Sequence, residues 1–188
     1  MGERRMPTLL AVWALLACLW PASLFARDFR IESVAGRIAD GQFVVDARID
    51  VELNASTIEA LENGVTLEFE LQAALMRPRR LWWDAEVTKV TRRFLLGRHA
   101  LADGYTLSEP GADQHQIFKS LEDALAALGE VRDFKAGSAA VQAAADKYRG
   151  RLRLRLDIEA LPAPLRPIAY ISPSWRLSSG WYEWVFVP

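Results

Sequence analysis

The stretch "RGRLRLRLDI", residues 149–158, alternates apolar and charged side chains over most of its length. Successive side chains of a β-strand point to opposite faces, so this spacing predicts a strand that is buried on one face. The apolar face would hold Leu152, Leu154, Leu156 and Ile158, and the opposite face would hold Arg151, Arg153, Arg155 and Asp157.

The arginines of this stretch have two interpretations. They can form a stripe that binds anions or nucleic acid, or they can be the solvent-facing half of a structural strand. The structural interpretation is favoured, because cross-strand pairs of opposite charge contribute only a few tenths of a kcal/mol each and are common in sheets. Partners are expected among the carboxylates of two other alternating stretches: Asp46, Asp50, Glu52, Glu68 and Glu70.

Strand-like alternation recurs along the chain. The Asp40-Gly41 pair predicts a tight hairpin turn between a first strand, 29–38, and a second, 43–53. Further strands are expected at 65–75, 82–96, 105–107 and 181–187. Four prolines, at 162, 164, 167 and 173, argue against a central strand or a long helix between residues 161 and 173.

Three short segments have helical patterns. The first, 57–62, would be capped by Asn54 or Ser56, and the second begins after Ser120 and ends near Gly129. The alanine-rich segment 139–148 is the third. The predicted fold is therefore mainly β (all-β or α+β), an antiparallel sheet or sandwich with two or three short inserted helices.

The first 26 residues have the pattern of a signal peptide. Arg4 and Arg5 precede the uncharged stretch 8–20, and small residues lead to Ala26. Cleavage there would leave residues 27–188 as a single exported domain. Two alternatives are an uncleaved membrane anchor and a lipidated Cys18.

Composition excludes several classes of protein for residues 27–188. Cys18 is the one cysteine, so the segment after the signal has neither disulfides nor cysteine–zinc sites. Removing Glu3, Arg4 and Arg5 from 23 basic and 24 acidic residues leaves 21 and 23, a net charge of −2. No nucleic-acid partner is expected from that charge.

Catalytic motifs are absent from the sequence. His99 and His115 are the two histidines, and neither stands in a metal-binding spacing. No Gly-x-Ser-x-Gly elbow and no phosphate-binding glycine loop occurs. We therefore predict no catalytic residue, cofactor or metal, with an envelope-polymer hydrolase that uses His99 or His115 as its base kept as an alternative.

Arginine and tryptophan concentrate in two stretches, around residues 77–84 and 175–184. These residue types are enriched in the energetic centres of interfaces, although tryptophan is also highly buried on average. The predicted interaction surface comprises Arg77, Arg79, Arg80, Trp82, Trp83, Trp175, Trp181 and Trp184.

Four motifs carry a resemblance to a known family: "LWWD" (81–84), "FKSLEDALAALG" (118–129), "RLRLDIEALPAPLRPIAYISPSW" (153–175) and "RLSSGWYEW" (176–184). Together they resemble exported proteobacterial proteins of the family called domain of unknown function 4390. The resemblance implies a Gram-negative envelope protein without assigned activity. It also implies a gene that, in some genomes, neighbours a sensor kinase of the nitrogen-regulation type.

These observations together predict a periplasmic, non-enzymatic binding or accessory protein. Its partner would be an envelope protein, with the sensor kinase pathway as one candidate. The alternatives are an envelope-polymer hydrolase and a glycan-binding module. Membrane association would arise only through an uncleaved signal or a lipidated Cys18.

Overall fold

A computed structural model describes residues 29–79, 84–101, 103–112, 115–138 and 148–186. In these ranges the chain is mainly β, and all strand pairs are antiparallel. The elements are β1 (Phe29–Ala39), β2 (Gln42–Val51), α1 (Ala55–Glu62), β3 (Leu67–Arg77), β4 (Ala85–His99), β5 (Gly104–Ser108), β6 (Gln116–Phe118), α2 (Leu121–Gly129), β7 (Glu130–Ser138), β8 (Tyr148–Leu156), α3 (Arg166–Ile171) and β9 (Tyr182–Phe186).

The strands form two sheets. One has three strands in the order β1-β2-β7, and the other has six in the order β6-β5-β4-β3-β8-β9. Their inner faces share one hydrophobic core, in which Phe29 of the first sheet contacts Phe69 of the second with ring centroids 6.0 Å apart. The predicted mainly β, antiparallel class is therefore confirmed.

The hairpin of β1 and β2 turns where the sequence predicts. Asp40 and Gly41 both have positive φ, 50° and 71°, which a two-residue turn of this kind requires. The inward residues of β2 that alternate along the strand are buried: Phe43, Val45, Ala47, Ile49 and Val51.

The strand β7 contains a β-bulge. Asp133 has φ 48°, in the left-handed region that aspartate tolerates better than most residues. The register with β2 shifts at this point, between Val45 and Ala47. One extra residue changes which side chains face inward, so Val131 before the bulge and Phe134 after it are both in the core.

Two helices begin at the predicted caps. The Asn54 side chain accepts from Thr57 N–H at the start of α1, and Ser120 Oγ accepts from Asp123 N–H at the start of α2. Gly129 was expected just beyond α2, but it is the last helical residue and leads directly into β7. A Cβ on Gly129 would lie 2.0 Å from the Ile49 carbonyl oxygen, so a side chain would force the end of α2 away from β2.

The proline-rich segment forms short turns of helix around α3, as its prolines predict. Several strand ends are shifted by two or three residues from their predicted positions, as in β4, which covers 85–99 instead of 82–96. Ile158 lies in a 3-10 helix that follows β8 and is not on the inward face of the strand. The predicted helix 139–148 falls outside the described residues except for Tyr148, which begins β8.

Candidate functional site

The outer face of the six-stranded sheet carries a row of arginines. Leu152, Leu154 and Leu156 of β8 are buried in the core, as predicted, so the residues between them point outward. Trp181, just before β9, lies against this row. We call the group formed by Arg149, Arg151, Arg153, Arg155 and Trp181 the arginine face.

The charge of Arg155 is paired with that of a buried carboxylate. It lies opposite Glu70 in the pairing of β8 with β3. Its Nε and Nη2 donate to Glu70 Oε2 at 2.9 and 2.6 Å, and Arg93 of β4 lies 3.5 Å from the same carboxylate. Because Glu70 is only 5% exposed, these two guanidinium groups supply the charge that its burial requires.

The two arginines at the other end of the row also have carboxylate partners. Arg151 Nε lies 2.9 Å from Glu183 Oε1 of β9. Arg149 lies 3.1 Å from Asp84 and 3.7 Å from Glu183. Of the predicted carboxylates, Glu70 alone forms an ion pair with β8 among the described residues. Glu68 pairs with Arg93 of β4, and the other three lie on or just beyond a strand of the other sheet.

Arg153 differs from its neighbours. It lies opposite Gln72, and its Nη2 donates to the Gln72 side-chain oxygen at 2.7 Å. Among the residues that the structure describes, no carboxylate lies within 4.0 Å of its guanidinium, and its buried Nε, like that of Arg151, donates no hydrogen bond. Partial burial lowers the pKa of Arg153, and the positive charge of Arg155 lowers it further.

Trp181 holds this guanidinium in place. The Arg153 guanidinium carbon lies 4.5 Å from the centre of the Trp181 ring, and that of Arg151 lies 4.8 Å away. A cation over an indole face is attracted by the ring and loses conformational freedom. Trp181 therefore orients Arg153, whose guanidinium has no carboxylate within 4.0 Å among the described residues. The charge of Glu70 acts on it from farther away and opposes the lowering of its pKa.

This arrangement is suited to binding a carboxylate or another anion. A guanidinium has five N–H donors, and a carboxylate accepts two of them side by side. Arg151 and Arg155 flank the position and add positive potential, although their own charges are paired.

The structure separates the predicted tryptophan cluster. Trp181 lies on the arginine face, whereas Trp175 is 5% exposed and packs in the core. Trp184 is half-buried and stacks on Phe43, with ring centroids 6.3 Å apart. A Cβ on Gly150 would lie 2.3 Å from the Trp184 ring, so the glycine makes room for it.

The other predicted surface stretch is only partly described. Arg77 is half-buried at the end of β3, and Arg79 is exposed two residues beyond it. Arg80, Trp82 and Trp83 lie outside the described residues.

Of the arginine face, the sequence predicted Trp181 as an interaction residue, but it predicted Arg153 as a solvent-facing residue of a structural strand. Gln72 follows two glutamates, Glu68 and Glu70, at alternate positions of β3. That Arg153 faces this neutral residue becomes clear only from the register of β3 with β8.

A site of another kind would use one of the two histidines or hold a metal ion. His99 ends β4 and His115 is exposed before β6. Within the described parts of the chain, no three histidine, cysteine, aspartate or glutamate side chains are grouped so that they could hold a metal ion. The helices in those parts are too short or too polar to cross a membrane.

Comparison with known proteins adds a family but no activity. No curated protein and no solved structure matches the chain. One family model matches residues 26–185, which is most of the sequence and includes the arginine face. The chain belongs to the family described as a domain of unknown function, DUF4390.

Proposed function

We propose that this protein is an exported, non-enzymatic accessory protein that binds an acidic segment of an envelope protein through the arginine face. The observation that carries the proposal is Arg153, which is oriented by Trp181 and has no carboxylate partner among the described residues. The signal-like first 26 residues support export, and the resemblance of the four motifs supports a proteobacterial envelope.

A protein segment fits this face better than a free small anion. The arginines lie along a strand, so their spacing matches alternate side chains of an extended acidic segment. Val185, directly across from Arg149 on the edge strand β9, is 69% exposed and adds an apolar contact beside the charges. An extended peptide with acidic and apolar side chains would meet both features.

Binding can be measured with a synthetic glutamate-rich peptide as the probe, using the fluorescence of the tryptophans and titration calorimetry. Arg153→Gln removes the unpaired charge and should weaken binding at least tenfold, since a hydrogen bond between two charged groups is worth about 1.5–3 kcal/mol. The matched control is Arg132→Gln, which removes one positive charge from the three-stranded sheet, where Arg132 is 74% exposed.

The outcomes separate the proposal from non-specific charge attraction. Equal weakening by both substitutions, or no binding by the unaltered protein, would overturn it. Tighter binding of a neutral oligosaccharide than of the peptide would overturn it in favour of a glycan-binding module.

A cellular experiment tests the partner directly. A photoreactive amino acid at Val185 should cross-link to one recurrent protein, and Arg153→Gln should abolish that product. The same amino acid at Ala35, an exposed position on β1, is the control for surface contacts in general. The N-terminus of the recovered protein, read by mass spectrometry, should be Arg27 if the signal is cleaved as predicted.

A further inference from the structure

A cleft of about 760 Å³ opens on a part of the surface that shares no residue with the arginine face. Its walls come from the end of β2, from α1 and from α2. The close approach of Gly129 to Ile49 fixes one wall, because it sets the end of α2 directly on β2. The cleft is therefore held by the packing of regular elements.

The floor of the cleft is apolar. It is formed by Leu53 beyond β2, Ile58 of α1, and Leu121 and Leu125 of α2, all partly buried. Leu121 and Leu125 are four residues apart, so they lie on the same face of the helix, where they pack against the core and also line the cleft. Four half-buried aliphatic side chains, from two helices and from the segment after β2, thus line the cleft.

The rim of the cleft is acidic. Five lining carboxylates (Glu32, Asp50, Glu52, Glu122 and Glu130) face one guanidinium, that of Arg48, which gives a formal charge of 1 − 5 = −4. Asp50 is paired with Arg30, and Glu130 with Arg132. Glu32, Glu52 and Glu122 have no cation within 4.0 Å among the described residues.

We propose that this cleft docks a basic amphipathic helix of a second protein partner. The apolar side chains of such a helix, at spacings of three and four residues, would lie on the leucine and isoleucine floor. Its lysines and arginines would flank that stripe and meet the carboxylates that have no partner of their own. The inference is independent of the arginine face, and together the two surfaces would join an acidic and a basic partner.

The probe is a synthetic 18-residue helical peptide made of leucine and lysine, with its leucines on one face. Its counterpart has the same pattern with glutamate in place of lysine. We expect the full-length protein to bind the leucine–lysine peptide, measured by fluorescence anisotropy, and to bind the leucine–glutamate peptide at least tenfold more weakly. Equal binding of the two peptides, or no binding of the first, would overturn the proposal.

Two variants place the binding in the cleft. Glu52→Gln with Glu122→Gln removes two unpaired rim charges and should weaken binding at least tenfold. The matched control, Glu86→Gln with Glu159→Gln, removes two exposed carboxylates elsewhere and should leave the affinity unchanged. Equal weakening by both pairs would mean that only the net charge matters and would contradict the assignment.

A third variant tests occupancy of the floor. Ala126 is exposed on α2 and lines the cleft, so Ala126→Arg fills it with a positively charged side chain without altering the core. Binding of the leucine–lysine peptide should be lost while the circular dichroism spectrum is retained, and persistent binding would contradict the site. Stronger binding of dodecyltrimethylammonium than of the peptide, with the same dependence on the variants, would reassign the cleft to a small cationic amphiphile.

The two proposals fail separately. Arg153→Gln should leave the affinity for the leucine–lysine peptide unchanged, because the arginine face and the cleft share no residue. Conversely, the double substitution at Glu52 and Glu122 should not weaken binding of the glutamate-rich peptide.

Discussion

Arg153 and Arg155 are neighbouring arginines on one face of β8, but their charges are paired differently because they lie opposite different residues of β3. Arg155 meets a buried carboxylate and becomes part of the framework. Arg153 meets the neutral amide of Gln72 and has no carboxylate within 4.0 Å among the described residues. The proposed binding position therefore depends on the absence of one carboxylate from an otherwise paired row.

Asp133 offers a test of backbone strain at a single residue. Its left-handed conformation costs a non-glycine residue roughly 1 kcal/mol, and its carboxylate pairs with Arg37. Asp133→Ala and Asp133→Gly both remove the ion pair, but only glycine is free of the steric penalty. We expect the glycine variant to be more stable than the alanine variant by about 1 kcal/mol in urea unfolding. Equal stability of the two variants would show that the bulge relaxes when its aspartate is lost.

The short helices α1 and α2 are both capped at their N-termini, but only the cap of α1 also forms a hydrogen bond to a distant segment of the described chain. Ser120 caps α2, and its side chain forms hydrogen bonds with Asp123, three residues away in the same helix. Asn54 caps α1 and also donates through Nδ2 to the Ser174 carbonyl oxygen, which ties α1 to the 3-10 turn that carries the buried Trp175.

Substitution of these two caps should therefore have unequal effects. Ser120→Ala removes one cap and should cost about 1 kcal/mol of the free energy of unfolding. Asn54→Ala removes a cap and a tertiary hydrogen bond and should cost about 2 kcal/mol. Both are measured by urea unfolding, and a larger cost for Ser120→Ala would contradict the role assigned to the Ser174 contact.

Most strands and both helix caps could be predicted because they depend on local patterns, whereas β6 and β7 were not predicted. Alternation gave the inward faces of β2, β3 and β8, and the Asp40-Gly41 turn fixed the first hairpin. The pairing of β2 with β7 and of β8 with β3 depends on contacts between distant segments, and no local spacing encodes it. For that reason the strand that begins near residue 149 was predicted correctly as far as Leu156, whereas the residue facing Arg153 was not predicted. The cleft was missed for the same reason, since its walls come from three separate parts of the chain.

The protein has a formal net charge of only −1, but the arginine face is basic and the rim of the cleft is acidic. The arginine face belongs to the six-stranded sheet, and the acidic rim belongs to the three-stranded sheet and the helices beside it. Each surface would therefore attract a partner of opposite sign, and each attraction would be screened by salt.

Salt should consequently affect binding much more than folding. Between 0.1 M and 1 M salt the screening length falls from about 10 Å to about 3 Å. We expect the affinities for the glutamate-rich and leucine–lysine peptides each to fall at least tenfold over this range. The unfolding temperature should change by only a few degrees, because the two sheets are held together by an apolar core. Peptide affinities that do not depend on salt would contradict the electrostatic basis of both sites.

The pairing of β2 with β7 determines the order in which the molecule can assemble. Asp46 and Asp133, which meet across these strands, are 87 positions apart, and most of the six-stranded sheet lies between them in the sequence. An isolated two-stranded hairpin is marginally stable in water, so β1 and β2 stay exposed until β7 has been made. Closing so long a loop is slow, and unpaired strand edges aggregate during the delay. The chain therefore has to fold as a unit, because the three-stranded sheet lacks a strand until residue 138 is present and the six-stranded sheet is incomplete until β8 and β9 have followed.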